Sequence, residues 1–312
     1  MAKAGEKPIA VYGAIAANAI VAAAKFTAGA LTGSSAMLSE GIHSVADTGN
    51  QLLLLLGINQ SRKPPDELHP FGHGKELYFW SLIVAMVLFG VGGGMSLYEG
   101  ISHLQHPSEI GDPTWNYVVL AVGVVAEGVS WVIALRVFLR TKGREENLWQ
   151  ALRTSKDPGI FTVVAEDTAA LAGLIIAFLG VYLGHRLNNP YFDGLASIVI
   201  GVMLVVVAAF LAYESRALLV GESADPELIH SVRSLAEEEE GIHAVRRLLT
   251  MHLGPDQVLL TLDVEFEASL SSGEVADAVD RLETVIRDKH PEIGYIFVEA
   301  ESLIRHKKGG EG

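Results

Sequence analysis

Six transmembrane helices followed by a small soluble α+β domain is the architecture this sequence predicts, on three observations. Half of the 312 residues are hydrophobic and the mean hydropathy is +0.33. Only 19% are charged, against roughly a quarter in a typical soluble domain. The charge is also segregated: residues 222–312 carry 20 acids and 9 Lys plus Arg, or −11 of the formal −14, while nearly all long apolar runs fall before residue 222. A single soluble globule, a disordered chain and a nucleic-acid binder, which needs a basic surface, are excluded. The expected division is 1–221 for the membrane domain and 222–312 for the soluble one. Without cysteine, no disulfide, thiolate metal site or cysteine nucleophile is available.

A spanning helix needs about 20 mostly apolar residues. Six stretches meet that length, near 9–31, 36–59, 78–101, 115–139, 159–184 and 192–218. Tyr78, Phe79 and Trp80 open the third as interfacial aromatics, and Gly90, Gly92, Gly93 and Gly94 offer it a face for close helix contact. Basic residues set orientation. Lys3 and Lys7 precede the first span, Arg62, Lys63 and Lys75 follow the second, and Arg136, Arg140, Lys142, Arg144, Arg153 and Lys156 follow or end the fourth. The alternate loops carry almost none. Both termini are therefore expected in the cytoplasm. The short polar stretch Met1–Pro8 resembles neither a cleavable signal nor an Arg-rich transit peptide, so the expected address is a prokaryotic plasma membrane.

Beyond residue 221 the pattern reads helix (225–240), strand (IHAVRRLLTMHL), turn (Gly254-Pro255-Asp256), strand (QVLLTLDVEFE), helix (272–289) and strand (YIFVEAES). In the second strand Leu260, Leu262, Val264 and Phe266 share one face. Ser271 or Ser272 caps the second helix, with Glu274 in its first turn. This order suits a sheet with helices on one face.

The chemistry lies in the charges inside the spans, because ionisable residues there are costly and mark functional sites by default. In the second span Glu40, His43, Asp47 and Asn50 are spaced 3, 4 and 3, which sets them on one helical stripe. His43 and Asp47, one turn apart, can hold one metal ion together. The fifth span carries Glu166 and Asp167, whose directions differ by about 100°, and the fourth carries Glu127. One imidazole with two or three carboxylates suits tetrahedral Zn²⁺ and accepts Mn²⁺, Fe²⁺ or Co²⁺, whereas Ca²⁺ and Mg²⁺ prefer oxygen shells. The competing reading is a set of paired charges holding a bundle together. Lys25, in the first span, reads as a snorkelling or paired cation. The loop after the second span, SRKPPDELHPFGHGKELYFW, brings Asp66, His69 and His73 within eight residues: a metal site, or a polar turn fixed by Pro64-Pro65 and Gly72/Gly74. No His-Glu-x-x-His occurs, which argues against a membrane metalloprotease.

The stretches SEGIHSVAD, HPFGHGKE and EDTAALAGLIIA resemble the cation diffusion facilitators, or cation efflux proteins, over residues 9–301. SEGIHSVADTGNQ, SKDP before AEDTAALAG, and NPYFDGLAS are most similar to the zinc transporter 9 branch. The resemblance implies a homodimeric, six-helix exporter of Zn²⁺ or related metals driven by protons, with a ferredoxin-like cytoplasmic domain. Carried over by position, the family's transport ligands fall on His43, Asp47 and Asp167. The fourth, a His in many members, falls on Val163, which cannot ligate. Glu166, Glu127, Glu40 or water must then complete the shell, with Glu166 the first choice. The family's loop site falls on Asp66 and His73, with His69 as an extra candidate. Lys75 matches a lysine that pairs in some relatives with an acid at the end of the sixth span; that position is Val220 here and Glu222 is the nearest substitute. In the soluble domain His243 matches one metal position, while Glu299 and Glu301 fall where relatives carry others. The implied activity is Zn²⁺/H⁺ antiport, with no enzymatic chemistry; a Mn²⁺ or Fe²⁺ exporter and a non-transporting metal sensor are the alternatives.

Overall fold

The computed structural model describes residues 7–107, 112–141 and 158–301. Lys3, Lys142, Arg144, Arg153 and Lys156, used above for orientation, lie outside them. The chain forms two compact units: residues 1–59 with 76–216, and residues 60–75 with 217–312.

The first unit is built of long helices: α1 (Lys7–Thr32), α2 (Ser35–Ser61), α3 (Glu76–Val87), a π-helical turn (Leu88–Gly94), α4 (Met95–Gln105), α5 (Thr114–Thr141), α6 (Pro158–Leu187) and α7 (Tyr191–Val220). Among the described residues four helical stretches are both long and apolar enough to cross a membrane: Glu76–Gln105, Thr114–Leu139, Phe161–Leu187 and Tyr191–Val220. At 27 residues, α2 also has the length, about 40 Å at 1.5 Å per residue. Its stripe of Glu40, His43, Asp47 and Asn50 is what lowers its hydropathy. Exposed Met86, Val125, Ile175 and Val206 present the apolar exterior that a bilayer requires.

Two local devices join these helices. Asp193, fully buried in the first turn of α7, accepts from the backbone N–H of Ser35 and Ala36 and from the hydroxyls of Ser34 and Ser35. A carboxylate there satisfies orphan donors at the start of α2 and complements its dipole. The second device is glycine. A Cβ on Gly93 would meet Val205 at 2.7 Å, one on Gly201 the backbone of Leu97 at 2.8 Å, and one on Gly100 the carbonyl of Gly194 at 2.8 Å. The third span thus approaches α7 backbone to backbone. Of the four glycines expected on that face, Gly92 and Gly93 touch α7, Gly90 touches nothing within 4 Å and Gly94 meets only its own turn. The π-helical turn spans this glycine run, and the wider turn shifts which residues face α7.

In the second unit α8 (Pro226–Glu238), β1 (Ile242–Gly254), β2 (Gln257–Phe266), α9 (Ser272–Lys289) and β3 (Ile293–Glu301) follow the expected order. The sheet order is β1-β2-β3; β1 and β2 run antiparallel across the two-residue turn Pro255-Asp256, with Leu248 opposite Leu262. β2 and β3 are parallel, with Leu260 opposite Ile296, and α9 supplies the crossover that parallel strands need. One face of the sheet, Val258, Leu260, Leu262, Val264 and Phe266, packs on Val232 and Ala236 of α8 and on Ala278, Leu282 and Ile286 of α9. β3 begins at Ile293, two residues before the expected strand, because Ile293 pairs with Val258.

Candidate metal transport site

His43 and Asp47 are side by side on α2, with Nε2 3.4 Å from Oδ2 and both side chains largely buried. Neither nitrogen of His43 has a hydrogen-bond partner, nor does Oδ1 of Asp47. Buried polar atoms are normally satisfied, so this pair presents donor atoms that the protein leaves open. Asp47 lies within electrostatic reach of Glu166, Glu127 and Asp167, which brings acids of α5 and α6 to the α2 stripe. Candidate ligands for a dication thus sit on three helices.

The two acids of α6 are held separately. Glu166 is buried, and its Oε1 accepts from Nδ2 of Asn50 at 2.7 Å. Asp167 is half-buried and accepts from Oγ of Ser130 on α5 at 2.9 Å. The neighbouring Trp131 Nε1 donates to Thr168 at 2.9 Å. Adjacent positions on a helix point apart, so Glu166 faces α2 while Asp167 faces α5. Neither Glu166 nor Asp167 joins His43 and Asp47 in a tight cluster of ligand atoms. Val163 is half-buried one turn before Asp167 and offers no donor.

Glu40 is otherwise engaged. Its Oε2 accepts from Lys25 Nζ at 3.0 Å, and Lys25 also donates to Ser44 at 2.8 Å, all fully or almost fully buried. Lys25 is therefore a paired cation rather than a snorkelling one, and Glu40 is spoken for.

The loop of residues 60–75 belongs to the second unit. Phe71 packs edge-on against Tyr295 at 5.2 Å, and Gly74 touches the Leu253 carbonyl so closely that no Cβ fits. Gly72 has φ +84, a conformation that glycine tolerates. The turn so made brings Asp66, His69 and His73 together, with their ligand atoms within 4.8 Å of one another. Asp66 Oδ1 lies 3.1 Å from His69 Nδ1 and Oδ2 lies 3.1 Å from His73 Nε2. Among the described residues this is the one such trio of His and carboxylate groups. Two imidazoles and a carboxylate are a three-ligand set for Zn²⁺ with one position open. The backbone N–H of His69 holds the Asp66 carboxyl down to about 2, helped by both imidazoles.

Lys75 donates to the carbonyl of Leu219 at 3.4 Å, so the α7 terminus is held through its backbone and not through an acid at 220. His243 is exposed, and no ligand trio forms around it among the described residues.

A family model described as the cation efflux transmembrane domain matches residues 11–220, and one described as the cation efflux protein cytoplasmic domain matches residues 224–303. The chain belongs to the cation efflux family. It is 36% identical over 285 residues to the human mitochondrial proton-coupled zinc antiporter SLC30A9, covering 89% of this chain and 50% of that protein. The mouse counterpart is 36% identical over 255 residues, covering 81% and 45%. The manganese efflux system protein MneP of Bacillus subtilis is 25% identical over 300 residues, covering 94% and 93%. The chain spans about half the length of the mammalian relatives.

The expectation of a prokaryotic plasma membrane is overturned: the mammalian relatives at 36% identity are mitochondrial. It rested on the first eight residues, and these carry no address when half of such a relative's length lies outside the compared region.

Asn50 and Ser130 hold two of the candidate acids, and the sequence signals them unequally. Asn50 had a signal, its place on the stripe one turn beyond Asp47. Ser130 had none, since a hydroxyl in an apolar span is as often bonded to its own helix.

Proposed function

We propose that this chain exports a divalent transition metal by exchange with protons, zinc first, and that it works as a homodimer. The observation that carries the reading is the open pair on α2: an imidazole and a carboxylate, largely buried in a helix of 27 residues, with three polar atoms unpartnered and three more acids within electrostatic reach. Family membership and the names of the mammalian relatives support it.

His43, Asp47 and Asp167 bind the metal, with Glu166 or Glu127 completing the shell. Binding requires deprotonated ligands, so metal and protons compete for the same atoms. The side on which those groups protonate is the side on which metal leaves. No bond is made or broken in the cargo, so the chain works as a carrier and not as a catalyst. The Asp66, His69 and His73 trio is a second, separate metal-binding site.

In proteoliposomes, Zn²⁺ flux should accelerate with an opposing pH gradient and move protons. Asp47→Ala and Asp167→Ala should each abolish metal-driven proton movement while the protein still folds. Unchanged exchange in both variants rejects the site. A Mn²⁺ exporter is the second reading, favoured by the oxygen-rich donor set that Val163 leaves and by the resemblance to MneP.

A further inference from the structure

Among the described residues, Lys25 is a buried charged group with no part in the transport reading above. Lys25 is fully buried at the middle of a three-helix junction. Its ammonium bonds Glu40 and Ser44 of α2, and its stem passes Gly123 of α5, where a Cβ would sit 3.8 Å from Cε. The other oxygen of Glu40, Oε1, has no hydrogen-bond partner and lies directly against Gly173 of α6, where a Cβ could not fit. Glu40 shares the α2 stripe with His43, one turn away. A cation beside a cation site opposes binding, so its placement needs a reason.

We propose that Lys25 is a positioning residue that sequesters Glu40, a latent metal ligand, and so keeps the transport site weak enough to release its cargo. The inference rests on the reading of His43 and Asp47 as transport ligands. Glu40 has the ligand chemistry, the stripe position and a free oxygen; only the ion pair at 3.0 Å withholds it. Transport needs a site that binds and also lets go. A further carboxylate on a dication strengthens the hold sharply at low dielectric. Lys25 offsets that charge without occupying the metal's position, and Gly173 provides the room in which Glu40 lies back against α6. Lys25 also acts electrostatically on His43 and Asp47, so loss of its partner would turn the ammonium from a counter-ion into a repellent.

The two halves of the pair therefore predict opposite effects on metal affinity. The full chain in lipid nanodiscs, in an Asp66→Asn background that disables the loop trio, is titrated with Zn²⁺, and flux is measured in parallel. Lys25→Met should tighten Zn²⁺ binding about tenfold and slow turnover, a scale set by partners that orient metal ligands. Glu40→Gln should weaken binding about tenfold, by the same reasoning. The double variant should return close to the parent, within about twofold, as expected of a coupled pair. A merely structural pair would weaken binding in both single variants, and that outcome overturns the proposal, as does unchanged affinity in Lys25→Met. Should Lys25→Met fail to assemble, the double variant must still bind more tightly than Glu40→Gln alone; equality overturns the proposal. Asp47→Ala separates the two readings. If it binds Zn²⁺ as well as the parent, the transport site itself is misplaced; if it loses binding while Lys25→Met changes nothing, only the role of Lys25 falls.

Discussion

Asp66 and Asp47 show how differently one side chain behaves with and without donors. Asp66, on an exposed turn, takes the backbone N–H groups of Leu68 and His69 and faces two imidazoles, so its ionised form is strongly preferred. Asp47 is paired with an imidazole in poor hydrogen-bonding geometry and has an unpartnered oxygen, which suits it to the cation proposed as cargo. The Asp66 prediction has a definite sign. Its folded value, about 2, lies below the ordinary aspartate value of about 3.9. The contribution of its ionised form to the loop is thus complete above the unfolded value and disappears as pH falls through the folded one. A carboxyl ¹³C titration of Asp66 should show its midpoint near 2, and a midpoint in the ordinary range would break the turn geometry described here.

At the scale of elements, the sequence reports helices through different signals. α9 is announced by its capping box: Ser271 Oγ accepts from Glu274 N at 3.4 Å, and Glu274 returns a carboxylate to Ser271 N at 2.7 Å. Those bonds to Ser271 hold the Glu274 carboxyl below its usual range. The third span and α7 are joined instead by glycines at 93, 100, 194 and 201, which only their partners make meaningful. Gly201→Ile should destabilise the membrane unit by about 1–3 kcal/mol, the usual scale of overpacking, whereas Gly128→Ala, with nothing within 4 Å of its Cβ, should be neutral. Thermal unfolding in detergent checks the pair, and equal midpoints would mean that the helices can part at no cost. The strands and helices of the soluble unit were legible nearly to the residue because period-2 and period-3.6 burial are local. The π-helical turn and the cap that Asp193 gives α2, 158 positions away from Ser35, were not, because each depends on a long-range neighbour.

For the molecule as a whole, the sequence assigns each candidate charged group to the helix on which it stands but cannot say which groups hold one another. His43, Asp47, Glu166, Asp167 and Glu127 were legible as candidates because charge in an apolar run is conspicuous. That Glu40 is spent on Lys25, that Glu166 turns to Asn50 and that Asp167 turns to Ser130 follow from packing between helices, which no spacing along one helix reveals. This division bears on metal choice. The open donor set holds one imidazole, on His43, and otherwise oxygens, and such a set separates zinc from manganese less sharply than one richer in nitrogen. Val163 stands one turn before Asp167 on α6, where an imidazole would add the missing nitrogen. Val163→His should therefore raise the preference for Zn²⁺ over Mn²⁺ in competitive flux by about tenfold, the low end of what even a group that orients a metal ligand contributes, and should do so by weakening Mn²⁺ transport as well as strengthening Zn²⁺ capture. Vesicles carrying either protein, offered both metals at one pH gradient, give the ratio directly. A ratio unchanged by the added imidazole would mean that residue 163 does not face the cargo. The ligand set would then lie on α2 and α5, with Glu127 rather than Glu166 completing it.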